Sequence, residues 1–347
     1  MWLESLACVR PEPFYTQAEC WEVLRNSSRF AELRPGSQRL LERILKGSGG
    51  IDRRHFAMPQ VEGLFDLSAE ELNRGFEREA PRLGGEALGR ALEEAGLRAG
   101  ELDALLVCTC TGYLCPGLSS YIGEAAGLRP DAYLGDLVGL GCGAALPLLR
   151  QAAGLLALDP DAKVACVSVE VCSAAFYIDD DPGVLVSLCL FGDGAAASIW
   201  SGDRAGEDAG KVRAYGFDTL HRPEAREQLR FENRGGKLRN RLERTVPATA
   251  AAAVRELHAR SGANGAEVIT HAGGRDVLDA VADSLQVPDL PTSREVLRDG
   301  GNMSSPSVLF AVDEVLRARA GRPVDLWASS FGAGFSCHSC RLTGGNS

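Results

Sequence analysis

One spacing constrains the fold of this chain more than any other feature: its strands and loops recur after 162 residues. The apolar strand Ala104-Leu105-Leu106-Val107-Cys108 runs into a small polar loop, Thr109 to Gly112. In the second half, Glu267-Val268-Ile269-Thr270 runs into His271-Ala272-Gly273-Gly274, and both His271 minus Thr109 and Gly274 minus Gly112 equal 162. Gly139 to Cys142 leads into a helix through Leu146, Leu149 and Ala153. Asn302 to Ser305 leads into another through Val308, Leu309, Val312, Val315 and Leu316, with Ser304 minus Cys142 again 162. Two further apolar strands, Lys163 to Val169 and Val324 to Ser329, are followed by Glu170 and Gly332 at the same offset. Helical patterns precede the first strand of each set: Arg82 to Leu97, with Leu83, Ala87, Leu88, Ala91 and Leu92 on one face, and Ala248 to Ser261. The order helix–strand–loop–helix–strand, met twice at one offset, describes a duplicated α/β unit.

Helices alternating with buried strands imply mostly parallel sheets covered by helices. Two such units stacked on each other give five layers, αβαβα, with residues 1–208 as one half and 209–347 as the other. The loops of parallel strands gather at their carboxyl ends, so Cys142, His271 and Asn302 are expected to face one crevice between the halves. Residues 1–81 read as an added helical region before the repeat, and the charged stretch His221 to Arg244 as an insertion between the halves. Asp179-Asp180-Asp181-Pro182 reads as an exposed turn before a strand. A hydrophobic content of 45% with 24% charged residues is enough for a large core and excludes a disordered, collagenous or coiled-coil chain. The net charge of −10, from 37 basic and 47 acidic residues, argues against nucleic acid or an anionic membrane as the main partner. The longest apolar region, Leu137 to Leu158, is broken by Pro147, Arg150 and Gln151, so no membrane span is expected. Met1-Trp2-Leu3-Glu4 lacks the basic start of a secretory leader, and 11 cysteines without framework spacing point to reduced thiols in a cytoplasm. Cys337-His338-Ser339-Cys340 has the spacing of a metal pair but no second pair to complete four ligands, so no metal is expected and a terminal strand is.

Cys142 stands in Gly139-Leu140-Gly141-Cys142-Gly143, directly before an apolar helix whose unpaired amides favour a thiolate. His271, one of 5 histidines, ends a buried strand in a Gly-Gly loop, a place suited to a general base or a donor to an oxyanion. Asn302, in Gly300-Gly301-Asn302-Met303-Ser304-Ser305, has an amide able to donate to an enolate. Taken singly, each has a plainer alternative: a packed cysteine, a loop histidine bonded to backbone, a helix-capping asparagine. The duplication draws the three together.

These segments, with Phe191-Gly192-Asp193-Gly194-Ala195-Ala196-Ala197, Thr270-His271-Ala272-Gly273-Gly274-Arg275 and Gly301-Asn302-Met303-Ser304-Ser305, resemble the type III polyketide synthases, the chalcone/stilbene synthase family with its bacterial alkylresorcinol- and alkylpyrone-forming members. The likeness runs in order from about Leu40 to Gly334. It implies the thiolase fold as a homodimer, and an acyltransferase that forms carbon–carbon bonds from an acyl-CoA starter and malonyl-CoA, without a cofactor. By the same resemblance Cys142 carries the acyl group, His271 keeps it a thiolate, and His271 and Asn302 hold the malonyl carbonyl during loss of carbon dioxide. Phe191 matches the aromatic gate between tunnel and cavity, whereas the place of a second gating aromatic holds Asn240. Thr111 and Ser304 match substrate-lining positions, and Arg39, Arg43 and Lys46 the region that binds the phosphates of coenzyme A. The absence of a carboxylate from the triad Cys142, His271 and Asn302 fits these roles, since a nearby anion opposes thiolate and enolate alike. Other condensing enzymes of the thiolase fold, a papain-like Cys/His/Asn hydrolase and a noncatalytic scaffold are the competing readings. The Ala-Gly-Gly after His271 disfavours a ketoacyl-carrier-protein synthase, and the duplicated α/β pattern disfavours a hydrolase.

Overall fold

The computed structural model describes residues 1–59, 61–203 and 211–344. Among them, nine strands form one sheet in the order Glu267–Thr270, Val324–Gly332, Ser336–Gly344, Val212–His221, Trp2–Val9, Gly194–Ser201, Lys163–Glu170, Ala104–Cys108, Tyr133–Leu137. It is two half sheets joined where Trp2 and Leu3 pair with Arg213 and Val212. Ala104–Cys108 runs parallel to both its neighbours, as Glu267–Thr270 does to Val324–Gly332, while the inner strands are antiparallel. The sheet is therefore mixed rather than mostly parallel. Only a short turn separates Gly332 from Ser336, which forces the chain straight back alongside itself.

Helices fill three layers. Ala145–Leu158 and Ser307–Ala318 each pack on strands of both half sheets and form the central layer. Ala69–Ala95 covers the first half sheet from outside, and Val246–Ser261 with Arg275–Leu285 the second. The architecture is thus αβαβα, with the apolar faces of the central helices, such as Leu146, Leu149, Val308, Leu309 and Val312, fully buried between the sheets.

Three details differ from the sequence reading. The first 81 residues are not only helical, because Trp2–Val9 lies in the sheet beside Gly194–Ser201. The turn at Asp179 to Asp181 opens a helix, Pro182–Leu190, instead of a strand. Asp181 caps it by accepting from the amides of Gly183 and Val184, Pro182 sits at its first turn, and its interior is apolar on nearly every face, which hides the helical period. Finally, the counterpart of the strand Tyr133–Leu137 at the 162 offset falls inside the helix Pro291–Gly300, whose buried Ser293, Val296, Leu297 and Gly300 recur at helical spacing. The insertion between the halves is a hairpin, Leu229–Arg234 with Lys237–Leu242.

Candidate active site

Cys142 sits on the single turn Gly141–Gly143 that precedes the helix Ala145–Leu158. Its Sγ lies 3.3 Å from the Oγ of Ser304, the residue 162 positions further on. Equivalent residues of two repeats touch each other only near the axis relating them, so this contact marks the pseudo-twofold axis of the duplication. Ser304 has a φ of +58°, in the left-handed region that a side chain disfavours. Its backbone is held there by Asn302, whose Oδ1 accepts from the Ser304 amide at 2.8 Å.

Asn302 is 4% exposed and lies beside Phe191, donating its amide to the Leu190 carbonyl at 2.8 Å and accepting from the Gly192 amide at 3.1 Å. Its Nδ2 donates to the carbonyl of Gly273 at 3.2 Å. That carbonyl belongs to the loop that follows His271, so asparagine and histidine loops are fastened together. A carboxamide nitrogen has two donors, and only one is used here. The His271 ring is buried edge-on against Phe331, centroids 5.3 Å apart, and its Nδ1 has no partner among the described residues. The strand end carrying Phe331 also abuts the cysteine turn. A Cβ at Gly332 would collide with the Leu140 carbonyl and approach the Gly143 amide to 2.5 Å, so only glycine permits this approach. Ser304 thus joins Cys142 to Asn302, the Gly273 carbonyl joins Asn302 to the loop after His271, and the strand end Phe331–Gly332 meets both the His271 ring and the cysteine turn.

Glu170, which the sequence reading met only as a position in the repeat, places a carboxyl group close to the triad. Fully buried, it accepts from Ser305 Oγ at 2.5 Å, Thr111 Oγ1 at 2.9 Å and the Cys110 amide at 2.9 Å. Ser304 Oγ, which contacts Cys142, is 3.3 Å from the same carboxyl. Burial raises the acid's pKa, with these donors acting against it, and its charge in turn raises the Cys142 thiol. The signal was present in the sequence as a lone acid closing a mostly apolar strand, where its repeat partner is Gly332. Arg54 is a second such residue: 1% exposed, it donates to the carbonyls of Leu188 at 2.6 Å and Phe191 at 2.9 Å and so anchors the Phe191 peptide.

Phe191, Thr111 and Ser304 line a cavity of about 430 Å³, measured with its open mouth, together with Phe176, Leu188 and the hairpin residue Phe231. The Thr111 hydroxyl is committed to Glu170. Arg39 and Arg43 are exposed on the helix Pro35–Leu45, and Lys46 ends it, paired with Glu42 at 2.8 Å and 4.9 Å above the Trp21 ring. The segment following this helix is tied to the histidine loop by Arg275, which donates to the Ser48 carbonyl. Cys337 and Cys340 lie on the strand Ser336–Gly344, where residues three apart point to opposite faces and do not share a ligand.

Burial pushes the Cys142 thiol up from 9.0 to about 12, with the Ser304 hydrogen bond acting against this and the Glu170 charge with it. Burial alone pushes the His271 imidazole down from 6.5 to about 3. Burial thus favours thiol and neutral imidazole over a charged thiolate–imidazolium pair at rest. A stability consequence follows. Between pH 6.5 and about 3 the unfolded chain takes up a proton that buried His271 refuses, so this contribution is intact above that window and lost as pH falls through it. His338, driven by burial to about 4, acts in the same direction. Urea unfolding followed from pH 7 to 4 should show falling stability, with a shallower slope for His271→Gln.

A thiol, an imidazole and a carboxamide converging between duplicated α/β halves define an enzyme that transfers acyl groups. Residues 1–225 match the model of FAE1/type III polyketide synthase-like proteins, and residues 228–336 that of the C-terminal domain of chalcone and stilbene synthases. The chain belongs to the type III polyketide synthases, which form carbon–carbon bonds. It is 31% identical to a 1,3,6,8-tetrahydroxynaphthalene synthase of Streptomyces peucetius subsp. caesius, over 88% of this chain and 82% of that one. It is 32% identical to a 3,5-dihydroxyphenylacetyl-CoA synthase of Amycolatopsis orientalis, over 80% and 78%. The crystal structure of the tetrahydroxynaphthalene synthase of Streptomyces coelicolor A3(2) superposes with a TM-score of 0.87 at 25% identity, covering 100% of both chains. That of PKS-I from the brown alga Ectocarpus siliculosus gives 0.89 at 22% identity, over 99% and 97%.

Proposed function

We propose that this chain condenses malonyl-CoA iteratively onto an acyl group carried by Cys142 and closes the chain to a hydroxylated aromatic or pyrone ring. The observation that carries this reading is the convergence of Cys142, Asn302 and the His271 loop about the pseudo-twofold axis. His271, neutral at rest, takes the Cys142 proton as the sulfur attacks the starter thioester, and the departing coenzyme A thiolate recovers it. Malonyl-CoA then loses carbon dioxide while the free N–H of Asn302 and the imidazole donate to the enolate oxygen. The enolate carbon attacks the acyl-cysteine carbonyl and Cys142 leaves as thiolate. These donors stabilise the developing charge without a metal or organic cofactor, each worth roughly 3–4 kcal/mol. The oxygen-rich aromatic products named for the two bacterial relatives support a cyclised, polyhydroxylated product here. Incubation with malonyl-CoA, with and without acyl-CoA starters, should release carbon dioxide in step with extended products. Thioester hydrolysis without extension would favour the hydrolase reading.

Arg39 and Arg43, exposed on a helix whose following segment is tied to Arg275 after the histidine loop, are proposed to meet the phosphates of coenzyme A, with Lys46 the weaker contributor because of its pairing with Glu42. Arg39→Ala with Arg43→Ala should raise the KM for malonyl-CoA by about tenfold and leave kcat little changed, as lost ground-state binding does. A malonyl thioester of pantetheine alone should show no such penalty. We further propose a homodimer formed at the free sheet edge, where Tyr133, Leu134 and Val138 are 57%, 41% and 51% exposed. None of the described helices is long and apolar enough to cross a membrane, and a compartment that keeps the cysteines reduced, such as the cytoplasm, suits a thiol nucleophile.

A further inference from the structure

The charged insertion builds one wall of the cavity beside Ser304, the partner of Cys142: Phe231, Leu238 and Asn240 line it with Phe191 and Ser304. Phe231 and Asn240 are direct partners across the hairpin, and such partners present their side chains on one face. The aromatic missing at position 240 is therefore supplied from the neighbouring strand, and position 240 itself carries a carboxamide. Asn240 is 4% exposed. Its Nδ2 donates to Ser187 Oγ at 2.9 Å, and the Ser187 proton goes to the Gly183 carbonyl at 2.7 Å. This relay fixes the orientation of the amide, since Ser187 has no proton left to give and must accept. The Asn240 Oδ1 is then the outstanding group: a buried acceptor with no partner among the described residues.

Three of the hydroxyls on this wall are committed. Thr111 donates to Glu170, Ser187 to Gly183, and Ser304 is held between Cys142, Glu170 and Cys110. A buried acceptor left unpaired is unfavourable, and a ligand hydroxyl that satisfies it gains accordingly. Ketone groups of a polyketide cannot do so, because they only accept. Resting on the condensing reading above, we infer that Asn240 is a specificity-determining residue whose Oδ1 accepts a hydrogen bond from an O–H on the bound acyl group. That O–H belongs either to a hydroxylated starter or to an enol of the growing chain.

The test compares phenylacetyl-CoA with its ring-hydroxylated analogues, each with malonyl-CoA, and separately follows products from malonyl-CoA alone. A starter source predicts that wild type prefers one hydroxylated analogue by roughly 10- to 100-fold in kcat/KM, and that Asn240→Leu brings the ratio near one. Asn240→Asp, which keeps an acceptor, should retain the preference. An enol source predicts no starter preference but a shift of malonyl-only products towards shorter chains in Asn240→Leu. Asn240→Ala serves in its place if thermal melting shows the leucine variant misfolded. Condensation of all starters with ratios near one, and a malonyl-only pattern unchanged by the substitution, would overturn this inference alone. Absence of any condensation in wild type would overturn the condensing reading and this inference with it.

Discussion

Cys142→Ala is expected to lower condensation by about 10⁴-fold or more while malonyl-CoA still loses carbon dioxide at a measurable rate. The split follows from the geometry. Among the described residues, the sulfur is the thiol that lies on the axis between the halves, where it meets Ser304 at 3.3 Å. The donors proposed to act on malonyl-CoA belong to other loops, which Asn302 and the Gly273 carbonyl fasten together independently of the cysteine. Labelled carbon dioxide release, measured beside product formation on the same samples, separates the two activities. Equal loss of both would mean that Cys142 also positions the malonyl group, which the proposed division of roles does not allow.

Asn302→Ala should show the complementary pattern. The decarboxylation rate falls by about 10²–10³-fold, the effect of removing one preorganised donor from a developing oxyanion. The loss lies in kcat, since the missing interaction forms in the transition state. Starter loading on Cys142 should persist. The substitution also removes the acceptor for the Ser304 amide, at about 1 kcal/mol of stability, so a modest drop in melting temperature accompanies the kinetic effect without explaining it. If decarboxylation in Asn302→Ala stays within a few-fold of wild type, the carboxamide is only a structural brace for Ser304 and Gly273.

Much of this arrangement is legible in the sequence because duplication leaves a register. The 162-residue offset correctly pairs the strands Ala104–Cys108 with Glu267–Thr270 and Lys163–Glu170 with Val324–Gly332, and it places Cys142 against Ser304. What the register does not carry is where the halves diverged. Trp2–Val9 has its counterpart in Val212–His221 at a different offset, so it read as part of an added segment. The helix Pro182–Leu190 is buried almost all round and shows no amphipathic stripe, which made it resemble a strand. Glu170 was seen only as a position in the repeat. Its meaning depends on Thr111, Ser304 and Ser305, donors brought to it from distant parts of the chain. Burial at the site is invisible for a related reason: the sequence shows a helix start favouring thiolate, and only the fold shows that desolvation of Cys142 and His271 opposes it.

Cys110 and Cys172 lie in the cavity wall, and Cys142 meets Ser304, another residue of that wall. Peptide mapping by mass spectrometry after brief exposure to a starter thioester is therefore the most direct test of the central claim. The acyl group should be found on the peptide bearing Cys142 and nowhere else. An acyl group on the Cys110 or Cys172 peptide, or loading that survives Cys142→Ala, would contradict it.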